Sequence, residues 1–140
     1  MAHICRALLV HCMDFRLQKA LKTHMEEQQL LGDADVVSMA GAAKNFLDAN
    51  VQATALRQVE ISKTLHGMKE VHLINHTDCG AYGGKAAFDG DEAEHRKHVE
   101  DMTSAAQVIH DAFPELTVVK WLAHLEGEGH EQTVRFEQIA

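Results

Sequence analysis

Residues 70–80 read EVHLINHTDCG, a mostly apolar run that passes directly into polar and sulfur-containing side chains. The part from residue 70 to residue 75 is apolar enough to predict a buried strand. Three glycines then predict a flexible turn: Gly80, Gly83 and Gly84. Because glycine-rich turns after buried strands recur in binding sites, we expect the chemistry of this chain where this strand ends.

Strands and helices alternate along the rest of the chain. Further strands are predicted at residues 4–10, 35–39 and 116–122, with a short terminal strand at 133–136. Helices are predicted at residues 15–31, closing at Gly32, at 50–66, closing at Gly67, and in a segment ending near Phe113, before Pro114; residues 89–97 are predicted to form a surface loop ahead of that last helix. The alternation predicts one α/β domain over residues 1–140, with a mainly parallel sheet of four strands plus a short edge strand, flanked by helices.

Composition narrows the class of protein. The length of 140 residues suits one domain. Acidic residues outnumber basic ones 21 to 13, which argues against nucleic acid as a partner. No segment approaches the roughly 18 apolar residues that a membrane span needs, and residues 1–10 do not read as an export signal. We therefore expect no membrane partner and a cytoplasmic protein with reduced thiols, in which the three cysteines serve metal binding, catalysis or packing.

Two reactive clusters follow neighbouring strands. The first strand runs into HCMDFR, residues 11–16, and the third into NHTDCG, residues 75–80. The carboxyl ends of parallel strands meet at one edge of a sheet, so the clusters should lie close together. Zinc prefers thiolate and imidazole ligands, which His76, Cys79 and Cys12 can supply. Three protein ligands leave one open position, the arrangement expected of a catalytic zinc site.

Asp14 and Arg16 accompany the predicted zinc site. If their segment is extended, the two side chains start on a common face. Arg16 could then hold Asp14 through a two-pronged hydrogen bond, keep it ionised, and aim it at zinc or at a proton of a bound water. A surface ion pair at a helix start is the alternative reading of the same two residues.

The motif Cys-x-Asp-x-Arg at residues 12–16, followed by His-x-x-Cys-Gly at 76–80, resembles the zinc motif pair of the β-class carbonic anhydrases. The likeness extends over nearly the whole chain. It implies a zinc ion held by Cys12, His76 and Cys79. It also implies reversible conversion of carbon dioxide to bicarbonate by a hydroxide generated at the zinc.

The resemblance assigns further roles. It implies that Asp14 and Arg16 form a dyad that gates the site or accepts a proton, and that the chain forms a homodimer or higher homo-oligomer. The sequence departs from the family at Ser38-Met39, where Arg-Asn usually precedes the Ala-Gly pair found here at residues 40–41. The helical N-terminal arm of many members is not found ahead of the first strand. Two alternatives therefore stay open: hydrolysis of carbonyl sulfide or carbon disulfide at the same site, and a catalytically inactive zinc-binding relic.

Other conspicuous residues have simpler readings. Cys5 is expected in the core, and His11 is expected to pack beside the site rather than ligate. Asp78 reads equally well as a turn former or a site residue, and Tyr82 as a packing aromatic or a site residue. Most of the remaining histidines are expected at the surface or at helix ends: His66, His72, His95, His98, His110, His124 and His130.

Two phosphate-handling sites are disfavoured. The glycine-rich turn after the third strand lacks the Lys-Ser/Thr ending of a P-loop. A thiol phosphatase would need an arginine six residues after Cys12, where this chain has Gln18.

Overall fold

A five-stranded sheet organises the computed structural model, which describes residues 3–140. Its spatial order is β2-β1-β3-β4-β5, with the first four strands parallel and β5 antiparallel to β4. This confirms the predicted mainly parallel sheet with a terminal edge strand. The strands are β1 (Ala7–His11), β2 (Ala34–Ser38), β3 (Glu70–His76), β4 (Thr117–Glu126) and β5 (Thr133–Ile139). The strands β4 and β5 are longer than predicted because residues 120–126 of β4 pair with residues 133–139 of β5.

Helices cover both faces of the sheet, as expected when parallel strands are buried on both sides. Leu8 and Val10 of β1 belong to the apolar cluster that also contains Ile109, whereas Leu9 belongs to a second cluster with Leu21. The alternation places α2 and α3 over one face and α1 over the other. The helices are α1 (Gln18–Glu27), α2 (Gln52–His66) and α3 (Asp91–Ala112). Within residues 3–140, none of them is both long and apolar enough to cross a bilayer.

The first helix is shorter than predicted. A 3-10 turn at Phe15–Leu17 precedes α1, and the helix ends before Gly32 because Gln29 takes a left-handed conformation with φ of 58°. The amide of Leu30 then donates to the carbonyl of Met25, closing the helix as glycine usually does. At α2 the predicted stop is confirmed, since Gly67 is left-handed with φ of 59°.

The predicted surface loop at residues 89–97 is wrong. From Asp91 onward this segment forms the first turns of α3. Its acidic side chains, which suggested a solvated loop, are favourable at a helix N-terminus because the helix dipole is positive there. As a result, Glu94 lies on the buried face of α3, next to the end of β3.

The expectation that most remaining histidines lie at the surface is wrong for His72 and His98, which are buried. His72 accepts a hydrogen bond from Nε1 of Trp121 at 3.2 Å and donates to Glu70 at 3.0 Å. His24 is also buried and stacks on Phe136 with ring centroids 4.0 Å apart. Aromatic contacts, and hydrogen bonds at His72 and at Nδ1 of His98, offset part of the lost hydration, whereas Nε2 of His24 and of His98 has no hydrogen-bond partner among the described residues.

Acid should destabilise the fold through two of these histidines. Burial lowers the pKa of His24 and of His98 to about 4, whereas an unfolded histidine titrates near pH 6.5. Between these values the unfolded chain binds protons that the folded chain does not, so stability is complete above about pH 6.5 and falls toward pH 4. We expect the free energy of unfolding to fall by up to about 1.4 kcal/mol per pH unit for each histidine.

Urea denaturation between pH 7 and pH 4 measures this effect. His24→Leu should show a shallower pH dependence than the unsubstituted chain, and His110→Gln, an exposed residue of α3, should leave it unchanged. An equal pH dependence in the unsubstituted chain and in His24→Leu would contradict the assignment.

Candidate metal centre

Three ligand-type side chains converge beyond the carboxyl ends of two adjacent strands. Cys12 follows β1 directly, His76 is the last residue of β3, and Cys79 precedes a 3-10 turn at Gly80–Tyr82. Since β1 and β3 are paired in parallel, their ends bring these residues together. All three are buried, and one potential ligand atom of each lies within 4.8 Å of the others. The predicted metal residues therefore form one cluster.

The geometry of the cluster suits a tetrahedral metal. The Sγ atoms of Cys12 and Cys79 are 3.9 Å apart, close to the roughly 3.8 Å that two sulfurs at about 2.3 Å from tetrahedral zinc would show. Nδ1 of His76 donates to the carbonyl of Thr77 at 2.7 Å, so the lone pair of the neutral ring lies on Nε2. Nε2 is buried and has no hydrogen-bond partner among the described residues. A histidine ligand requires this combination of a fixed tautomer and a free lone pair.

The two thiols influence each other strongly. The hydrogen bond from Cys79 lowers the pKa of Cys12, with a smaller contribution in the same direction from His76, although burial opposes both. The same hydrogen bond and burial raise the pKa of Cys79. A dication between the sulfurs would favour loss of both thiol protons.

The predicted dyad is formed, but by a cap rather than by an extended segment. Asp14 caps the 3-10 turn by accepting from the Arg16 amide at 2.9 Å. The Arg16 guanidinium donates to both carboxylate oxygens, with Nη2 2.7 Å from Oδ2 and Nε 3.1 Å from Oδ1. Arg16 holds the pKa of Asp14 below its usual range. Oδ2 of Asp14 is 3.8 Å from Nε2 of His76, so the dyad adjoins the cluster.

Asp78 does more than form a turn. Its backbone is left-handed with φ of 55°, which orients both its carbonyl and its carboxylate toward Arg16. Arg16 donates to the Asp78 carbonyl at 2.9 Å and to its Oδ2 at 3.0 Å, while Oδ1 accepts from the Lys85 amide at 2.8 Å. The hydrogen bond from Lys85, and then that from Arg16, lower the pKa of Asp78. Arg16 is therefore fixed between two carboxylates.

Glu94 is a site residue that sequence reasoning missed. It is buried on α3, and its Oε2 accepts from the Asp78 amide at 2.7 Å. A chain of contacts thus runs from Glu94 through Asp78 and Arg16 to Asp14. The signal was the helical spacing of buried residues at 94, 98, 102, 105 and 109, which the predicted loop at 89–97 obscured.

The buried side-chain amide of Asn75, next to His76, connects several segments around the site. Asn75 accepts from the Ala43 amide at 3.0 Å and donates to Nδ1 of His98 at 3.0 Å and to the Tyr82 hydroxyl at 3.1 Å. The Tyr82 hydroxyl donates in turn to Asp101 at 2.9 Å, so Tyr82 is a hydrogen-bonding residue as well as a packing aromatic. Burial, reinforced by Asp101, raises the pKa of Tyr82 and keeps its hydroxyl protonated.

The loop after β2 approaches the site closely. Gly41 has φ of 80°, and a Cβ there would come within 3.1 Å of the Cβ of Ala81. Of the two residues that depart from the family pattern, Ser38 is exposed and Met39 packs against the core. His11 donates to the carbonyl of Cys12 at 2.6 Å and lies outside the metal cluster, which agrees with the packing role expected for it.

A cavity of about 930 Å³ opens beside the dyad. Arg16, Asp78 and Thr77 line it, together with His95 and His124, whereas the three residues of the metal cluster do not. A small molecule in this cavity would therefore meet Arg16 before it reached the sulfur atoms.

Comparison with known proteins identifies the family of the chain. The family model described as "Putative carbonic anhydrase" matches residues 2–132. An uncharacterized protein of Rickettsia bellii (strain RML369-C) is 32% identical over 126 residues, which cover 86% of this chain and 77% of the relative. An uncharacterized protein of Rickettsia conorii (strain Malish 7) is 30% identical over 126 residues, covering 86% of this chain and 68% of the relative. Because the family model spans nearly the whole chain, including both motifs of the site, the chain belongs to this carbonic anhydrase family.

Proposed function

We propose that this protein is a zinc-dependent lyase that converts carbon dioxide and water reversibly to bicarbonate. Cys12, His76 and Cys79 would hold the zinc. The observation that carries the proposal is the buried Nε2 of His76, which has no hydrogen-bond partner among the described residues and converges with two thiol sulfurs beside an arginine-held carboxylate. Family membership supports the same reaction.

Each residue of the site has a definite task in this proposal. Bound zinc would supply Lewis acidity, which lowers the pKa of a coordinated water to about 7. Thr77 fixes the tautomer that exposes the lone pair of His76. Arg16 keeps Asp14 ionised, so that its Oδ2 can accept a proton or a hydrogen bond at the site.

The pairing of Asp14 with Arg16 also bears on the fourth ligand position. Both oxygens of Asp14 are engaged by the guanidinium. An oxygen shared with Arg16 is a weaker competitor for a metal than a free carboxylate. We therefore propose that this pairing leaves the position to water, and that Asp14 serves as the gate or proton acceptor.

The cavity has room for a small carbonyl substrate. Its lining carries three basic side chains, Arg16, Lys85 and Arg135, and five acidic ones, so it offers a released bicarbonate no net positive charge. Carbonyl sulfide differs from carbon dioxide by one atom, and the same site could attack it. Carbonyl sulfide therefore serves as a competing substrate in the activity assay.

Two wider expectations accompany the proposal. A homodimer or higher oligomer is supported by the family resemblance and by exposed apolar side chains beside Asp14, namely Met13 and Phe15, which are 66% and 77% exposed. A cytoplasmic location is consistent with a site built on two free thiols. Sedimentation and cell fractionation test these expectations.

The activity itself is tested by stopped-flow carbon dioxide hydration on zinc-loaded protein. Cys79→Ser should lose zinc and reduce the rate by at least about 100-fold, because even changes outside the ligand shell cost about 10- to 100-fold. Ser104→Ala, a substitution at an exposed position of α3, should retain both the zinc and the hydration rate. Equal rates in the unsubstituted chain and Cys79→Ser would refute the proposal, and sulfide release from carbonyl sulfide without carbon dioxide turnover would favour the hydrolase instead.

Replacing Asp14 tests the role of the dyad independently of metal binding. Asp14→Asn preserves the shape of the side chain but removes its charge, so zinc content should stay the same while kcat falls by about 100-fold, as expected for loss of a positioned proton acceptor. Asp111→Asn, an exposed carboxylate elsewhere, is the control and should leave kcat unchanged. If Asp14→Asn turned over like the unsubstituted enzyme, Asp14 would have only a structural role.

Glu94 is proposed to position the dyad through Asp78. Glu94→Ala removes the acceptor for the Asp78 amide and should lower kcat by about 10- to 100-fold with zinc retained. Glu94→Gln still offers an amide oxygen and should recover most of the loss. Zinc content, KM and kcat are measured on both variants, and an unchanged kcat in Glu94→Ala would contradict the positioning role.

A further inference from the structure

A second group of ligand-type side chains lies at the opposite end of β1 from Cys12. Cys5 precedes β1, Asp35 lies near the start of β2, and His66 is the last residue of α2. One ligand atom from each lies within 4.8 Å of the others. Cys5 is half-buried and packs against the core, as expected, but β1 begins only at Ala7, and the thiol also lies beside this group.

Hydrogen bonds hold the group in place. Nδ1 of His66 donates to the Asp35 carboxylate, 2.7 Å from Oδ2 and 3.0 Å from Oδ1. The buried hydroxyl of Ser62 donates to Oδ2 at 2.6 Å. The Cys5 amide donates to the carbonyl of His66 at 3.1 Å, which fixes the start of the first strand against the end of α2. The segment before β1, the strand β2 and the helix α2 thus preform the group.

We propose that Cys5, Asp35 and His66 form a second metal site, for zinc or a similar thiophilic dication. A thiolate with an imidazole selects such ions over magnesium or calcium, which prefer oxygen ligands. One thiolate and one carboxylate would balance the charge of the dication. The thiol proton is released to solvent when the metal binds, and the proton on Nδ1 of His66 moves to Nε2, so that the imidazole stays neutral.

The surroundings favour a cation at this position. Within residues 3–140, no lysine or arginine nitrogen pairs with the Asp35 carboxylate, so no fixed cation competes for it. His66 ends α2, where the helix dipole is negative. Ser62 engages Oδ2, whereas Oδ1 accepts, among the described residues, only from Nδ1 of His66 and would become available to the metal when that proton is displaced; outer hydrogen bonds commonly orient a carboxylate ligand in this way.

Solvent can reach the group. The side chains of His66 and Asp35 are 37% and 32% exposed, so a metal can enter and water can complete its coordination. The site is remote from the dyad and does not rest on the proposed reaction. A metal there would tie the end of α2 to β2 and stabilise the native fold by binding it selectively.

Zinc stoichiometry of the full-length chain tests the proposal. Metal-free protein is titrated with zinc against a chromophoric chelator, and bound metal is counted by mass spectrometry. We expect two equivalents in the unsubstituted chain, one in Cys5→Ser, one in Cys79→Ser and none in the double variant. Affinity at the second site should fall at least about 100-fold in Cys5→Ser.

Two further variants keep the test decisive. His66→Gln should also bind one equivalent, which covers the case in which Cys5→Ser fails to fold. Asp33→Asn is the matched control, since this neighbouring carboxylate accepts from the Arg6 amide and lies outside the group; it should bind two.

The outcomes separate this site from the catalytic one. A single equivalent that is lost in Cys79→Ser but kept in Cys5→Ser and His66→Gln overturns the second site. A single equivalent that is lost only in Cys5→Ser and His66→Gln supports it and removes zinc from the catalytic proposal. Absence of zinc binding overturns both.

Discussion

The parallel pairing of β1 with β3 is the constraint on which the site depends. It sets the ends of both strands at one edge of the sheet, so that Cys12 meets His76 and Cys79 across a sequence separation of more than sixty residues. The hydrogen bond from Nδ1 of His76 to Thr77 then determines the chemistry, since it leaves Nε2 as a buried lone pair. A buried polar atom without a partner is costly, and a metal ion would offset that cost.

Around this cluster the charges are held in a connected chain. Glu94 holds the Asp78 amide, Asp78 holds Arg16, and Arg16 holds Asp14. Breaking one link would leave a partly buried charge uncompensated, which is generally more destabilising than an intact pair is stabilising. Through these hydrogen bonds α3 influences the carboxylate of Asp14 next to the metal cluster, although no residue of α3 belongs to that cluster.

The sequence was sufficient for the features that local patterns encode. Apolar runs and turn residues predict the alternation of strands and helices and the helix stop at Gly67. The geometry of parallel strands then predicts the convergence of Cys12, His76 and Cys79. Glu94 was missed because acidic residues at the start of α3 look like a loop when the helix dipole that favours them is ignored. Buried His72 and His98, and the group of Cys5, Asp35 and His66, depend on tertiary contacts between elements that carry no fixed spacing in the sequence.

The central claim is that one zinc ion binds to two sulfurs and one imidazole at the ends of β1 and β3. Zinc X-ray absorption on the Cys5→Ser variant, loaded with one equivalent, tests it most directly because only the Cys12, His76 and Cys79 cluster then offers thiolates. The account predicts two sulfur ligands at about 2.3 Å, one imidazole nitrogen at about 2.0 Å and one further light atom. A first shell without sulfur, or with a single sulfur, would contradict it.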